Sequence, residues 1–107
     1  YILQSVICSF VELPAFRRYI DNLPDGQEKL FEIQMWLLMS PDDGDVIQGT
    51  SGLRKVRLGS SGKGKRGGYR VTYLHLPSKQ RIYLLTIYAK NEKEDLSPNE
   101  RRVLKML

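Results

Sequence analysis

Apolar positions along this chain change their spacing twice, and the changes divide it into elements. Ile2, Leu3, Val6, Ile7, Phe10 and Val11 form a run rich in β-branched side chains, which predicts a first strand over residues 2–11. Pro14 suits the first turn of a helix, where its missing N–H would be unpaired anyway. A short helix follows over residues 15–23, until Pro24-Asp25-Gly26 interrupts it. Asp25 and Glu28 have the spacing of a capping box, and a second helix runs from there to about residue 39. Its Leu30, Ile33 and Leu37 share one face, with Phe31, Met35 and Leu38 beside them. Ser40-Pro41 ends it, because the residue before a proline is pushed out of the α region.

Pro41-Asp42-Asp43-Gly44 is a turn and residues 48–52 a loop. From Leu53 the period becomes two, predicting strands over residues 53–58, 69–76 and 81–89. Pro77-Ser78-Lys79-Gln80 is short enough to join the last two as a hairpin. The last strand is nearly all apolar, as expected of one inside a sheet. Ser97-Pro98-Asn99-Glu100 offers an N-cap, an N1 proline and an N3 glutamate for a closing helix with Val103, Leu104 and Leu107. The order β-α-α-β-β-β-α predicts an α+β fold, a mainly antiparallel sheet with helices packed on one face. At 107 residues the expectation is a single domain spanning 1–107, with one core and little room for an enclosed pocket.

Charge divides the chain differently. Residues 1–50 carry three basic and eight acidic side chains, and residues 51–107 fourteen basic and four acidic, within an overall charge of +5. Between Arg54 and Arg70 lie seven cations and no acid. Such a stripe repels itself, so it points to a polyanionic partner rather than to stability. One cysteine cannot form an internal disulfide, which suits a reducing compartment. One Cys and one His leave a metal site without its usual donors, so neither metal nor cofactor is expected. No apolar run reaches the length of a membrane span.

Strand phase sorts the cations. Lys55 and Arg57 point to one face of their strand, and Arg54, Val56 and Leu58 to the other. On the next strand Arg70 and Thr72 share a face, with Tyr69, Val71, Tyr73 and His75 opposite. If the two strands pair, Arg70 stands near Arg57 and Lys55, three cations around one spot. Residues 59–68 between them are half glycine, so the backbone can approach a ligand closely, while Lys63, Lys65 and Arg66 supply charge. The plainer alternative is a soluble hairpin loop. Tyr73 and Tyr88 are expected to stack bases of single-stranded RNA, whereas Tyr83 is expected in the core. A single histidine, His75, rules out a two-histidine ribonuclease and reads as structural. Cleavage would then rest on guanidiniums that stabilise a pentacoordinate phosphate, with a lysine among the arginines as base.

Three blocks carry a family resemblance: Gly44-Asp45-Val46-Ile47-Gln48-Gly49-Thr50-Ser51-Gly52-Leu53-Arg54-Lys55, Gly62-Lys63-Gly64-Lys65-Arg66-Gly67-Gly68-Tyr69-Arg70-Val71, and Ile82-Tyr83-Leu84-Leu85-Thr86-Ile87-Tyr88-Ala89-Lys90-Asn91-Glu92. Together they resemble the HigB branch of the RelE/ParE toxin superfamily over essentially the whole chain. The resemblance implies a cytoplasmic bacterial toxin of a type II toxin–antitoxin pair. Such a toxin is a ribosome-dependent endoribonuclease that cuts mRNA in the A site through the 2′-OH, without metal. The partners implied are a cognate antitoxin and the 70S ribosome with its mRNA, and no membrane or small-molecule cofactor. By position, Lys55, Arg57, Arg70 and Lys90 are the implied catalytic residues, with Arg54, Lys63, Lys65, Arg66, Tyr73, Tyr88 and Asn91 as RNA contacts. Asn91 stands where RelE itself has an arginine, and RelE's C-terminal tyrosine has no match among residues 96–99, which leaves the acid and base open. A ParE-like gyrase inhibitor and a non-catalytic nucleic-acid-binding module are the alternatives, the latter because a basic stripe alone suffices for binding.

Overall fold

A computed structural model describes residues 8–50, 52–58 and 68–89, together with Pro98 and Arg102. The predicted strand over residues 2–11 appears as β1 (Ser9–Glu12), its earlier part lying outside the described residues. Helices α1 (Pro14–Asp21) and α2 (Gly26–Met39) follow. Next come β2 (Asp45–Val46), β3 (Arg54–Leu58), β4 (Tyr69–Leu76) and β5 (Arg81–Ala89). All but Pro98 and Arg102 of the predicted closing helix lies outside the described residues, and those two positions are helical.

The proline and glycine signals act much as expected, with one exception. Pro14 opens α1. Asp25 occupies the N-cap of α2 but makes no side-chain capping bond, so the capping box is not formed. What the Pro24–Gly26 break provides is closeness: a Cβ on Gly26 would sit 2.1 Å from the carbonyl oxygen of Ile20. Only glycine lets α2 start so near the end of α1. The β4–β5 connection is a single 3₁₀ turn over Pro77–Lys79, closed by Gln80 in the left-handed region at φ 52°.

The sheet runs β1-β5-β4-β3-β2, with β1 parallel to β5 and every other pair antiparallel. β5 lies inside the sheet, hydrogen-bonded on both sides, as its apolar run predicts. Strand β2 was not foreseen, because two residues are too short for a periodic signal. It pairs Asp45 with Lys55 and Val46 with Arg54.

Both helices cover one face of the sheet. Phe16 and Ile20 of α1 and Leu30, Ile33 and Leu37 of α2 pack against Val56, Leu58, Val71, Tyr73, Ile82, Leu84 and Ile87. Leu84 and Ile87 are three residues apart, and in a regular strand they would face opposite ways. They share this face because the β4–β5 register jumps: Thr72 faces Thr86 while Tyr73 faces Leu84, which leaves Leu85 as an extra residue in a bulge. On the other face a smaller cluster joins Leu53, Leu74, Tyr83 and Leu85. Tyr83 is thus a core residue, as expected.

Candidate nucleic-acid interface

Residues paired across neighbouring strands share a face, so the register builds the site row by row. Arg57 faces Arg70, and Arg70 faces Tyr88. The adjacent row on the same face is Asp45, Lys55, Thr72 and Thr86. This is the face opposite α1 and α2. It is graded: Leu53, Leu74, Tyr83 and Leu85 close one end, the two threonines are buried in the middle, and the arginines stand at the other end.

The convergence of Lys55, Arg57 and Arg70 anticipated from strand phase is therefore present. Arg57 is exposed, and Lys55 and Arg70 are half-buried. Two guanidiniums directly opposite one another across a strand pair repel, and an anion bridging them would relieve that. Thr86 joins them although the sequence did not single it out. Counted regularly from Ile82, Thr86 would share the helix-covered face, and only the bulge turns it over. Its Oγ1 is buried and has no hydrogen-bond partner among the described residues.

Three expected RNA contacts are corrected by the geometry. Tyr73 is fully buried. Its hydroxyl donates to the Pro41 carbonyl oxygen (2.8 Å) and accepts from the Gly44 N–H (2.9 Å). Burial pushes the phenol above its ordinary pKa, so the ring is a neutral core strut and not a stacking platform. Tyr88 faces the right way but is only 6% exposed, which leaves little ring for a base. Arg54 points to the opposite face from Arg57 and is spent on the chain. Its NH1 donates to the carbonyl oxygens of Gly44 (2.7 Å) and Asp42 (3.2 Å).

These bonds clamp the Pro41–Gly44 turn onto the sheet. His75 Nδ1 lies 3.0 Å from Asp42 Oδ1, and Arg54 Nε lies 3.8 Å from the same oxygen. The His75 hydrogen bond, with the Arg54 charge nearby, holds the Asp42 carboxyl below its ordinary range. Gly44 is required here: a Cβ would meet the Lys55 carbonyl oxygen and the Tyr73 ring, each at 3.0 Å. The turn thus presents β2, and with it Asp45, beside Lys55. The histidine has the structural role expected of it.

Lys63, Lys65, Arg66, Lys90 and Asn91 lie outside the described residues. Among the described residues no group of His, Cys, Asp and Glu has the arrangement of a metal site, and no helix is long and apolar enough to cross a membrane.

Residues 43–107 match the family described as the RelE toxin of the RelE/RelB toxin–antitoxin system, and the chain belongs to that family. Its fold is that of E. coli RelE. A double-arginine mutant of that toxin in the free state superposes with a TM-score of 0.60 at 19% identity, covering 94% of this chain and 98% of the other. The isolated E. coli RelE toxin gives 0.60 at 16% identity, with 94% and 100% covered. The intact E. coli RelBE toxin–antitoxin complex gives 0.59 at 20% identity, with 81% and 100% covered.

Proposed function

We propose that this toxin cuts mRNA on the ribosome, and that Arg57 and Arg70 hold the scissile phosphate between them. The observation that carries this is their cross-strand register on the sheet face opposite α1 and α2. In the proposed step the ribose 2′-OH loses its proton to a base and attacks the adjacent phosphorus. The 5′-oxygen of the next nucleotide leaves and is protonated, giving a 2′,3′-cyclic phosphate and a 5′-hydroxyl. Charge grows on the phosphoryl oxygens along the way, and guanidiniums are suited to it because they stay charged and bind two oxygens at once.

Lys55, one row away on the same face, is placed to contact the neighbouring phosphate or to take the proton, and Lys90 remains a further candidate by resemblance. The partners that fit are mRNA in the ribosomal A site and an antitoxin that silences the toxin in the bacterial cytoplasm.

The test is expression of the chain with and without Arg70→Ala, followed by mapping of mRNA 5′ ends. Codon-phased cleavage that disappears in the variant is the expected result. Growth arrest without codon-phased cleavage would overturn the proposal and favour gyrase as target. Arrest with cleavage untouched by Arg70→Ala would remove that residue from the site.

A further inference from the structure

A cluster of aromatic and charged side chains on the helix-covered side lies at the end of the sheet nearest the arginines. Among the described residues the sheet ends on the row Leu58, Tyr69 and Ala89, and the next row inward is Arg57, Arg70 and Tyr88. The arginines therefore stand one step from a strand end, where ladders open most readily. Two guanidiniums that repel each other across the strand pair add to that tendency. Holding a phosphate in a reactive geometry requires the opposite, side chains fixed to within a fraction of an ångström.

The second half of β5 is braced by a helix instead of a strand. Among the described residues β1 covers β5 from Arg81 to Leu84. There the chain turns into α1, and the Leu13 N–H donates to the Leu84 carbonyl oxygen at 3.0 Å. Arg17 ties the helix to the end of β1 through Glu12 at 2.7 Å. Further along α1, the Tyr19 hydroxyl oxygen accepts the Ala89 N–H at 3.2 Å. The helix side is thus bonded to β5 at both ends of the stretch that holds Thr86 and Tyr88. The Tyr19 ring also meets Tyr69 edge to face, with centroids 6.2 Å apart and planes at 82°. Tyr69 in turn carries the Lys29 ammonium over its face, 5.2 Å from the ring centre and 3.3 Å from Glu32. Both members of the last β4–β5 pair, Tyr69 and Ala89, are gripped from the helices. Arg70 directly follows one of them and Tyr88 directly precedes the other.

We infer that Tyr19 is a positioning residue for the phosphate site: from the opposite side of the sheet it holds the Tyr69–Ala89 pair closed, and so keeps Arg70 in register with Arg57 and Tyr88. The inference rests on the reading of Arg70 as a phosphate contact. Tyr19 itself touches no RNA and moves no proton. A tyrosine suits the task because its hydroxyl reaches an edge amide that no described strand covers. A phenylalanine would keep the ring contact and lose the bond.

Tyr19→Phe separates this role from ordinary packing. In the RNA-free protein, amide exchange at Ala89 should quicken roughly tenfold, the worth of one hydrogen bond, while Val71 in the core stays unchanged. The Nε–H of Arg70, whose nitrogen is buried, should also exchange faster in nitrogen-15 spectra. On ribosomes programmed with a short mRNA, kcat should fall about tenfold to 100-fold with KM nearly unchanged, the scale of a small misplacement at the reacting centre. In an Arg70→Ala background the same change should cost nothing further, because Tyr19 acts through Arg70. Faster exchange throughout the core, or a kcat loss that adds in full to that of Arg70→Ala, would make Tyr19 a packing residue and overturn the inference. So would parental exchange at Ala89 or a parental kcat. A parent protein that cleaves no mRNA would instead remove the phosphate reading, and exchange at Ala89 and Arg70 would still decide whether Tyr19 holds the row.

Discussion

Arg54 and Arg57 sit three residues apart on one five-residue strand and have opposite fates. Arg54 shares the helix-covered side, reaches back over β2 and gives its guanidinium to two backbone carbonyls. Arg57 points to the opposite side, stays exposed and meets Arg70 across the strand pair. Composition cannot separate them, since both belong to the same cationic stripe. Pleat phase does, because an odd separation along a strand always crosses the sheet. A charge count therefore overstates the ligand-binding capacity of such a stripe, and the strand face corrects it.

Substitutions can break this contrast at several points. The largest effect is expected at Arg70. Arg70→Ala should lower mRNA cleavage by about 100-fold or more, the scale seen when one donor to a developing oxyanion is removed. Urea denaturation should show the protein still folded. Equal cleavage by the variant would take Arg70 out of the phosphate site.

Tyr73→Phe tests the other side of the sheet. It removes the hydroxyl that joins Pro41 to Gly44 and leaves a buried carbonyl and a buried N–H unpaired, at a cost of about 2–4 kcal/mol. The urea midpoint should fall, while the cleavage pattern of the protein that remains folded should keep its sites. A change in cleavage sites without loss of stability would return Tyr73 to the RNA surface.

Arg54→Met sharpens the pairing with Arg57. Losing the two carbonyl contacts should cost about 1–2 kcal/mol and leave RNA affinity almost unchanged. Arg57→Met should do the reverse, weakening RNA binding and its salt dependence with little effect on folding. Filter binding at two salt concentrations, alongside urea melts, separates the two outcomes.

The smallest effect concerns Asp42. Its folded-state pKa is depressed, chiefly by the His75 hydrogen bond. The stability it contributes is therefore present above the ordinary carboxylate value and fades as pH falls through the lower folded-state value. Because the carboxylate is largely exposed, the contribution should stay below about 1 kcal/mol. Asp42→Asn should be slightly less stable than the parent at neutral pH, and the gap should close in acid. A gap that persists in acid would mean the side chain acts through packing.

Much of the fold could be read before any coordinates. Prolines marked where α1 begins and α2 ends, the two-residue period found β3 to β5, and strand phase brought Lys55, Arg57 and Arg70 together. What failed did so for identifiable reasons. The capping box of Asp25 has the right spacing, but Asp25 sits at φ −110° and ψ 36°, outside the extended region an N-cap usually adopts, and makes no side-chain capping bond. The turn leading into two-residue β2 is held by Arg54 of β3 and Tyr73 of β4, and local patterns carry no trace of that. An aromatic near cations suits RNA, which is why Tyr73 reads from composition as a stacking residue. Its own phase, shared with Val71, already put it with the core.

The bulge at Leu85 has a consequence for how this chain tolerates changes of length. Every residue from Thr86 to Ala89 takes its side of the sheet from its partner on β4. A single-codon deletion at Leu85 would leave the composition, the charge and both flanking strands nearly intact. It would remove the bulge and still leave Thr72 opposite Thr86, Val71 opposite Ile87 and Arg70 opposite Tyr88, so the last four residues of β5 would keep their sides of the sheet. The arginine row is therefore insensitive to loss of the bulged residue, and what Leu85 supplies is its side chain in the smaller apolar cluster.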